Sequence, residues 1–268
     1  MDVFGLIGNP VGHSLSPPMH EAAYEARGLD ATYVPFEPDE TDLEVAIQGA
    51  DALGIQGLNV TSPFKEAVLD LVTPTETARR IGAVNTIDLT GPRVTGFNTD
   101  AAGARRALAH HGVSFADQSV LILGAGGAAR AIAFAAAERA DRLAIANRTT
   151  EHAVDLADAV GASGHGLDAA PDLLEDTDLL VNATTVGMDE DRSPVAADAL
   201  SEDLVVLDAV YSPLRTRLLR DAAAAGARTI DGGWMLLYQG VEAFEIWTGL
   251  DAPIEEMNRA LRGAMDGE

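Results

Sequence analysis

Val120-Leu121-Ile122-Leu123-Gly124-Ala125-Gly126-Gly127-Ala128-Ala129 is the stretch that decides the fold of this chain. The apolar run Val120 to Leu123 suits a strand buried on both faces, as parallel sheets require. It runs into a glycine turn, and an alanine-rich segment to about residue 140 follows with helical character. Strand, tight turn and helix in that order give a G-x-G-x-x-G/A pattern its meaning, because backbone N–H groups and the positive helix end together receive a pyrophosphate. The competing reading is a glycine turn needed only for close packing.

Working outward, the next strand (143–146) ends at Asn147-Arg148-Thr149. That is about 23 residues past Gly124, where an NAD site usually carries an acid for the ribose. An amide, a guanidinium and a hydroxyl suit a 2′-phosphate instead, which favours NADP(H). Further strands are expected over 178–181, ending in Asn182-Ala183-Thr184-Thr185-Val186-Gly187, over 204–209, ending in Val210-Tyr211-Ser212-Pro213, and over 228–230. A helix is expected to start at Pro213 and run to about 225, and two more, 234–247 and 253–264, close the chain. Gln239, polar in an apolar helical stretch, either satisfies a local bond or faces a ligand.

Upstream, strands over 3–7, 31–36 and 55–60 alternate with helices over 17–27 and 41–53, the rhythm of a parallel α/β sheet. The loop after the first strand carries Ser14 and Ser16; Ser16 before Pro17 reads either as a helix cap or, with Ser14, as a grip for a small anion or diol. The third strand ends in Asn59-Val60-Thr61-Ser62-Pro63-Phe64-Lys65, and ligands of open α/β sheets bind beyond such strand ends. Lys65 is the only lysine in the chain. Ser62-Pro63 reads as a helix start, which would place this cation in a first turn where the macrodipole disfavours it by about 0.3–1 kcal/mol. Lys65 is therefore either a lone survivor of a compositional bias or a proton-exchanging group that arginine could not replace. Asn98-Thr99-Asp100 opens a helix to about 110, where Asp100 either complements the dipole or serves a function.

A formal net charge of −24 over 268 residues argues against nucleic acid and anionic membranes as partners. The acids are spread along a chain rich in Arg, Ala and Gly, a composition of adaptation to molar salt; an acidic binding face is the other account. At about 1 M salt the Debye length falls to about 3 Å, so carboxylate repulsion is largely screened and the fold is expected to depend on salt. With no cysteine, disulfides and thiolate chemistry are excluded, and His13, His20, His110, His111, His152 and His165 show no metal-ligand spacing. No metal is expected. No apolar run approaches the roughly 20 residues that span a bilayer, and the N-terminus has no basic leader, so a cytoplasmic location is expected.

Read together, the stretches GNPVGHSLSP from Gly8, NVTSPFK from Asn59, GAVNT from Gly82, NTD from Asn98, GAGGAAR from Gly124, NRT from Asn147, NATTVGM from Asn182, DAVYSPLRTRLL from Asp208 and DGGWMLLYQG from Asp231 resemble the shikimate dehydrogenase family over nearly the whole chain. The resemblance implies reversible NADPH-dependent reduction of 3-dehydroshikimate to shikimate, on the way to chorismate and aromatic amino acids. It implies an α/β fold: an N-terminal α/β substrate domain with a mainly parallel sheet (1–100, completed by about 238–268) and a Rossmann-type doubly wound NADP-binding domain (101–237). By the same resemblance Lys65 and Asp100 are the catalytic pair. Ser14 and Ser16 bind the substrate carboxylate, with Tyr211 near it, and Asn59, Thr61, Asn85 and Gln239 bind its ring hydroxyls. Gly124, Ala125, Gly126, Gly127 and Ala128 bind pyrophosphate, and Asn147, Arg148 and Thr149 the adenosine phosphate. Thr184, Gly187, Ala209, Gly232 and Met235 surround the nicotinamide, and Glu76 touches the cofactor side. One departure bears on NADP: several NADP-using members carry a second basic residue after NRT, where Glu151-His152 stands here. A small-molecule substrate is the partner implied, with a homodimer left open. An NAD-using quinate/shikimate dehydrogenase and a non-catalytic NADP-binding sensor are the alternative functions.

Overall fold

The structure, a computed structural model, describes residues 1–265, so the end of the expected 238–268 segment lies outside the described residues. The chain divides into two compact units, Met1–Thr99 with the segment from Gln239 onward, and Asp100–Tyr238.

The first unit begins with β1 (Asp2–Ile7), α1 (Ser16–Arg27), β2 (Ala31–Phe36), α2 (Leu43–Ala52), β3 (Gly57–Val60), β4 (Thr73–Pro74), α3 (Glu76–Ile81), β5 (Thr86–Asp88) and β6 (Thr95–Phe97). The sheet order is β2-β1-β3-β5-β6-β4. The joints β1–β2, β1–β3 and β4–β6 are parallel, whereas β5 runs antiparallel to both β3 and β6. Leu43, Ile47 and Ala50 fall on one face of α2, as helical periodicity dictates, and bury against Leu58, Val60, Phe64 and Ile87. Behind the strands Phe4 stacks between Tyr24 and Trp247, with centroids 5.3 and 5.1 Å away.

The second unit comprises α4 (Asp100–His110), β7 (Ser119–Leu123), α5 (Gly127–Ala137), β8 (Arg142–Asn147), α6 (Thr150–Val160), β9 (Ser163–Gly166), α7 (Ala170–Leu174), β10 (Leu179–Asn182), β11 (Val205–Asp208), α8 (Arg217–Ala224) and β12 (Arg228–Ile230). All its strands pair in parallel in the order β12-β11-β10-β7-β8-β9. The order reverses between β7 and β10, which is where doubly wound sheets open a ligand crevice. Then α9 (Gly232–Thr248) and α10 (Ile254–Met265) follow, α10 lying along α1.

Two expected helix starts are absent. Ser62-Pro63 and Ser212-Pro213 are both cis peptides inside turns. Residues after Pro63 form a turn and then a 3₁₀ segment, Ala67–Asp70, because the Lys65 carbonyl accepts from Val84 N–H (2.8 Å) rather than from its own chain. In the second unit α8 waits until Arg217, where Thr216 caps it by accepting from Leu219 N–H (3.3 Å).

Gly57 and Gly49 test the packing. A Cβ on Gly57 would collide with the Trp247 indole, whose Nε1 donates to the Ile87 carbonyl (2.9 Å), whereas one on Gly49, inside α2, meets nothing within 4 Å. Gly57→Ala should cost about 1–3 kcal/mol of unfolding free energy by overpacking, and Gly49→Ala should gain about 0.5–1 kcal/mol by helix propensity. Denaturant titration in molar salt checks both; equal effects would contradict the packing described.

Candidate active site

In the first unit the segment Ala83-Val84-Asn85 binds three stretches of chain at once. The Asn85 carbonyl accepts from Val60 N–H (2.8 Å), at the end of β3. Val84 N–H donates to the Lys65 carbonyl, and Asn85 N–H to that of Phe97 (2.9 Å). The Ala83 carbonyl takes the Asn98 side-chain amide (3.1 Å), and Asn85 Oδ1 takes Thr99 N–H (2.7 Å). Since a backbone N–H can only donate, that last bond fixes the Asn85 carboxamide orientation. The same Oδ1 is approached by the hydroxyls of Thr99 and Thr86, each at 3.2 Å. The segment thus holds the turn that carries Lys65 and the two residues that lead into Asp100. Lys65 itself is half-buried beside the fully packed Phe64, and Asp100 is a buried first residue of α4.

Asn59 is buried and equally committed. Its Nδ2 donates to the Asn85 carbonyl (3.4 Å) and the Thr86 hydroxyl (3.1 Å), and its Oδ1 accepts from the Tyr33 hydroxyl (2.8 Å). Burial pushes the Tyr33 phenol up, and a hydrogen bond with the buried Ser16 partly offsets the rise. Ser16 is not the cap of α1: Leu15 holds that position, and Ser14 does the local work, its hydroxyl accepting from Ser16 N–H (3.2 Å). The loop between them is clamped from β2 by Glu37, whose carboxylate accepts from Val11 N–H (2.7 Å) and Gly12 N–H (3.0 Å). Thr61 hangs at the end of β3, its N–H on the Ile7 carbonyl (2.9 Å), and Gly8 must lack a side chain because Thr61 fills that space.

In the second unit Gly124 adopts φ +111°, and a Cβ there would press on the Ala183 carbonyl at 2.8 Å, so the turn demands glycine. Gly126 and Gly127 have nothing within 4 Å of a Cβ position, and no side chain caps α5. Ala125 and Ala128 complete this turn and its first helical residues. Arg148 is exposed at the end of β8, flanked by Asn147, whose Nδ2 donates to the Thr149 carbonyl (3.0 Å). This donor set fits a dinucleotide: a helix start without a side-chain cap for pyrophosphate and a guanidinium, with no acid beside it at the strand end, for a 2′-phosphate. Beyond β10 and β11 the loops are tied by a buried knot. Asp208 accepts from Asn182 Nδ2 (2.8 Å), Val210 N–H (3.0 Å) and the Thr216 hydroxyl (2.6 Å). Asn182 Oδ1 in turn accepts from the Thr184 N–H (3.1 Å) and hydroxyl (2.7 Å). Burial pushes the Asp208 carboxyl up, and these hydrogen bonds oppose the shift. Gly232 passes so close to the Ala209 and Val210 carbonyls that any side chain would collide, and Met235 is buried one turn on. Gly187 adopts φ +98° in the Thr184 loop.

The structure therefore groups Ser16, Asn59 and Asn85 through direct or shared partners within the first unit, with Thr61 and Lys65 on the turn beside them. Tyr211 and Gln239 are half-buried, in the β11 loop and in α9. Glu76 stands apart: it is exposed in the first turn of α3, capped by Thr75, where an acid complements the dipole. Sequence reading gave no role to Tyr33, Thr86, Thr99, Asn182 or Asp208. The last four lie inside the quoted motifs, so their polarity within strand ends was the available sign; Tyr33 looked like any strand aromatic.

These parts define a dinucleotide-binding α/β protein. Family profiles match it in succession: "Shikimate dehydrogenase substrate binding domain" over residues 6–87, "Shikimate / quinate 5-dehydrogenase" over 106–189 and "Shikimate 5'-dehydrogenase C-terminal domain" over 232–262. It is 64% identical over 263 residues, 98% of this chain and 99% of the relative, to a shikimate dehydrogenase (NADP(+)) of Haloarcula marismortui. A solved shikimate dehydrogenase in complex with NADP+ superposes with a TM-score of 0.95 at 42% identity, covering 99% of this chain and 96% of that one. The Thermus thermophilus shikimate 5-dehydrogenase in complex with NADP(H) and shikimate gives 0.92 at 40% identity, over 98% and 100%. The chain belongs to the shikimate dehydrogenase family. Among the described residues no helix is long and apolar enough to cross a membrane.

One titratable group under this site yields a direct test. His20 is fully buried, its ring stacked on Tyr33 at 4.5 Å and 3°, and neither nitrogen has a hydrogen-bond partner. Desolvation lowers its pKa from 6.5 to about 3. The unfolded chain binds a proton first as pH falls, so the titration of His20 costs no stability above pH 6.5 and destabilises the fold progressively between there and about pH 3. Relative to His20→Phe, the wild type should lose about 1.4 kcal/mol more unfolding free energy per pH unit below about pH 6. Denaturant titrations in molar salt that run parallel for the two proteins would contradict a neutral His20.

Proposed function

We propose that this chain catalyses the reversible, NADPH-dependent reduction of 3-dehydroshikimate to shikimate. Family membership and the NADP(+)-dependent relative support the reaction and the cofactor. They favour it over an NAD-dependent quinate enzyme or a sensor. The observation that carries it is the Ala83–Asn85 segment, which fixes the Lys65 turn and the approach to Asp100 from one place. On this reading the first unit holds the substrate and the second the dinucleotide, and a cytoplasmic location belongs with it.

NADPH, when bound, supplies the hydride. Lys65 as ammonium polarises the substrate carbonyl and gives its oxygen a proton, so that C=O becomes CH–OH; in reverse the neutral amine takes that proton back. Asp100 orients Lys65 and the neighbouring hydroxyl. Ser14 and Ser16 bind the carboxylate, with Tyr211 near it; Asn59, Thr61, Asn85 and Gln239 bind the hydroxyls. The glycine turn with Ala125 and Ala128 takes the pyrophosphate, Asn147, Arg148 and Thr149 the 2′-phosphate end, and Thr184, Gly187, Ala209, Gly232 and Met235 the nicotinamide. Glu76 has no support beyond resemblance. The acid spread over the chain and the halophilic source of the relative support working conditions of molar salt.

Replacing Lys65 by alanine should lower kcat for NADP+ reduction with shikimate about 10²- to 10⁴-fold, the usual contribution of a general acid or base, and leave the KM for NADP+ unchanged. Spectrophotometry in molar salt decides this. A variant with near wild-type kcat would remove Lys65 from the mechanism, and a wild type inert towards shikimate would remove the function.

A further inference from the structure

Asparagine can read a ligand with either polarity, since its carboxamide offers two N–H donors and an oxygen with two lone pairs. Which polarity remains depends on what the protein has already consumed. Asn85 has spent its oxygen on Thr99 N–H and on the hydroxyls of Thr99 and Thr86, so only its Nδ2 donors are left. Asn59 is in the opposite state. Its Nδ2 hydrogens are taken by the Asn85 carbonyl and the Thr86 hydroxyl, and one Oδ1 lone pair is taken by the Tyr33 hydroxyl. A carbonyl oxygen can only accept, so the Asn85 carbonyl prevents the Asn59 amide from turning over.

We infer that Tyr33 is a specificity-determining positioning residue: it donates to Asn59 Oδ1 and holds that oxygen so that Asn59 meets the ligand with a single remaining lone pair, which takes a hydroxyl donor and rejects a carbonyl or ether oxygen. The two asparagines then form a fixed polarity code, acceptor at Asn59 and donor at Asn85. Three features keep Tyr33 in place. Its ring lies face to face on His20, both rings are buried, and the neutral His20 keeps this platform uncharged over the physiological range. Tyr33 also partners Ser16, so one phenol links the residue proposed for the carboxylate with one proposed for a hydroxyl. The site's own buried network, rather than the ligand, sets which hydrogens the ligand must bring.

This inference rests on the proposed shikimate reaction, and its test separates the two. The value of kcat/KM for NADP+ reduction is measured for wild type and Tyr33→Phe, with shikimate and with each analogue lacking one of the ring hydroxyls that is not itself oxidised. A site built around a substrate hydroxyl rejects the analogue lacking it strongly, by about 10²-fold or more. In Tyr33→Phe the penalty for losing one particular hydroxyl should shrink about tenfold while the penalties for the others stay, which is the non-additivity expected of coupled groups. Thr86→Val removes the other side-chain partner of Asn59 and leaves Asn85 Oδ1 its bonds to Thr99, so it should relax the penalty most at the same hydroxyl, and it covers the case in which Tyr33→Phe does not fold. The KM for NADP+ should not change in either variant. Penalties that stay equal to wild type at every hydroxyl, or that shrink uniformly, overturn the role of Tyr33 while shikimate turnover stands. A wild type that does not oxidise shikimate overturns both readings.

Discussion

The bond from Thr99 N–H to Asn85 Oδ1, 2.7 Å long and fully buried, is the constraint on which the first unit depends. Without it a buried backbone donor would go unpaired, at a cost of about 1–3 kcal/mol, and the chain entering α4 would lose its anchor. Its force comes from what else the same short segment does. Val84 takes the Lys65 carbonyl out of a helix, Asn85 closes on β3 and β6 through its own backbone, and Ala83 receives Asn98. A turn held only at its own ends would let the Lys65 backbone wander; one whose carbonyl is paired with the Val84 N–H does not. Catalysis by a positioned proton donor gains from such prior ordering, because the entropy is lost on folding and not during the reaction.

The second unit repeats the device with different groups. Asp208, buried with its carboxyl pushed up by desolvation, ties Asn182 from β10 to Val210 and Thr216 beyond β11. In both units a polar knot sits just past the carboxyl ends of the strands, where an open α/β sheet presents its ligands. Such knots are costly unless every member is satisfied, and these are. His20 is the exception that proves instructive: its nitrogens are unsatisfied, and it survives as an aromatic slab beneath Tyr33 by staying neutral.

Much of this was legible in the sequence. The strand before Gly124, the turn itself and the helix after it stand where the pattern put them, because an apolar run, a positive φ and alanine leave the backbone little choice. Helix α4 and its acidic first residue were equally plain. What misled was local grammar: Ser-Pro pairs at Ser62 and Ser212 read as helix starts, and tertiary pairing of the Lys65 carbonyl and the Thr216 cap overrode them. The placement of Lys65 in a helical first turn fails with that reading, so the dipole contributes nothing to the case for it; resemblance and the Val84 tie carry it instead. Of the two readings of Ser16 the cap fails: the helix starts one residue earlier, after Leu15, and Ser14 accepts from the Ser16 N–H. The bonds of Tyr33, Thr86 and Thr99 follow from register across β2, β3, β5 and the turn into α4, which no local pattern encodes; motif polarity marked Thr86 and Thr99 without their partners, and nothing marked Tyr33.

The Ala83–Asn85 segment and the chain it ties are ordered before any ligand arrives. Native-state amide hydrogen exchange on the ligand-free protein in molar salt tests it most directly. The account predicts that the N–H groups of Val84, Asn85 and Thr99 exchange only through global unfolding, with the same free energy as Leu58 in the centre of the sheet. Exchange of these amides through a local opening several kcal/mol easier, with Leu58 still protected, would contradict it.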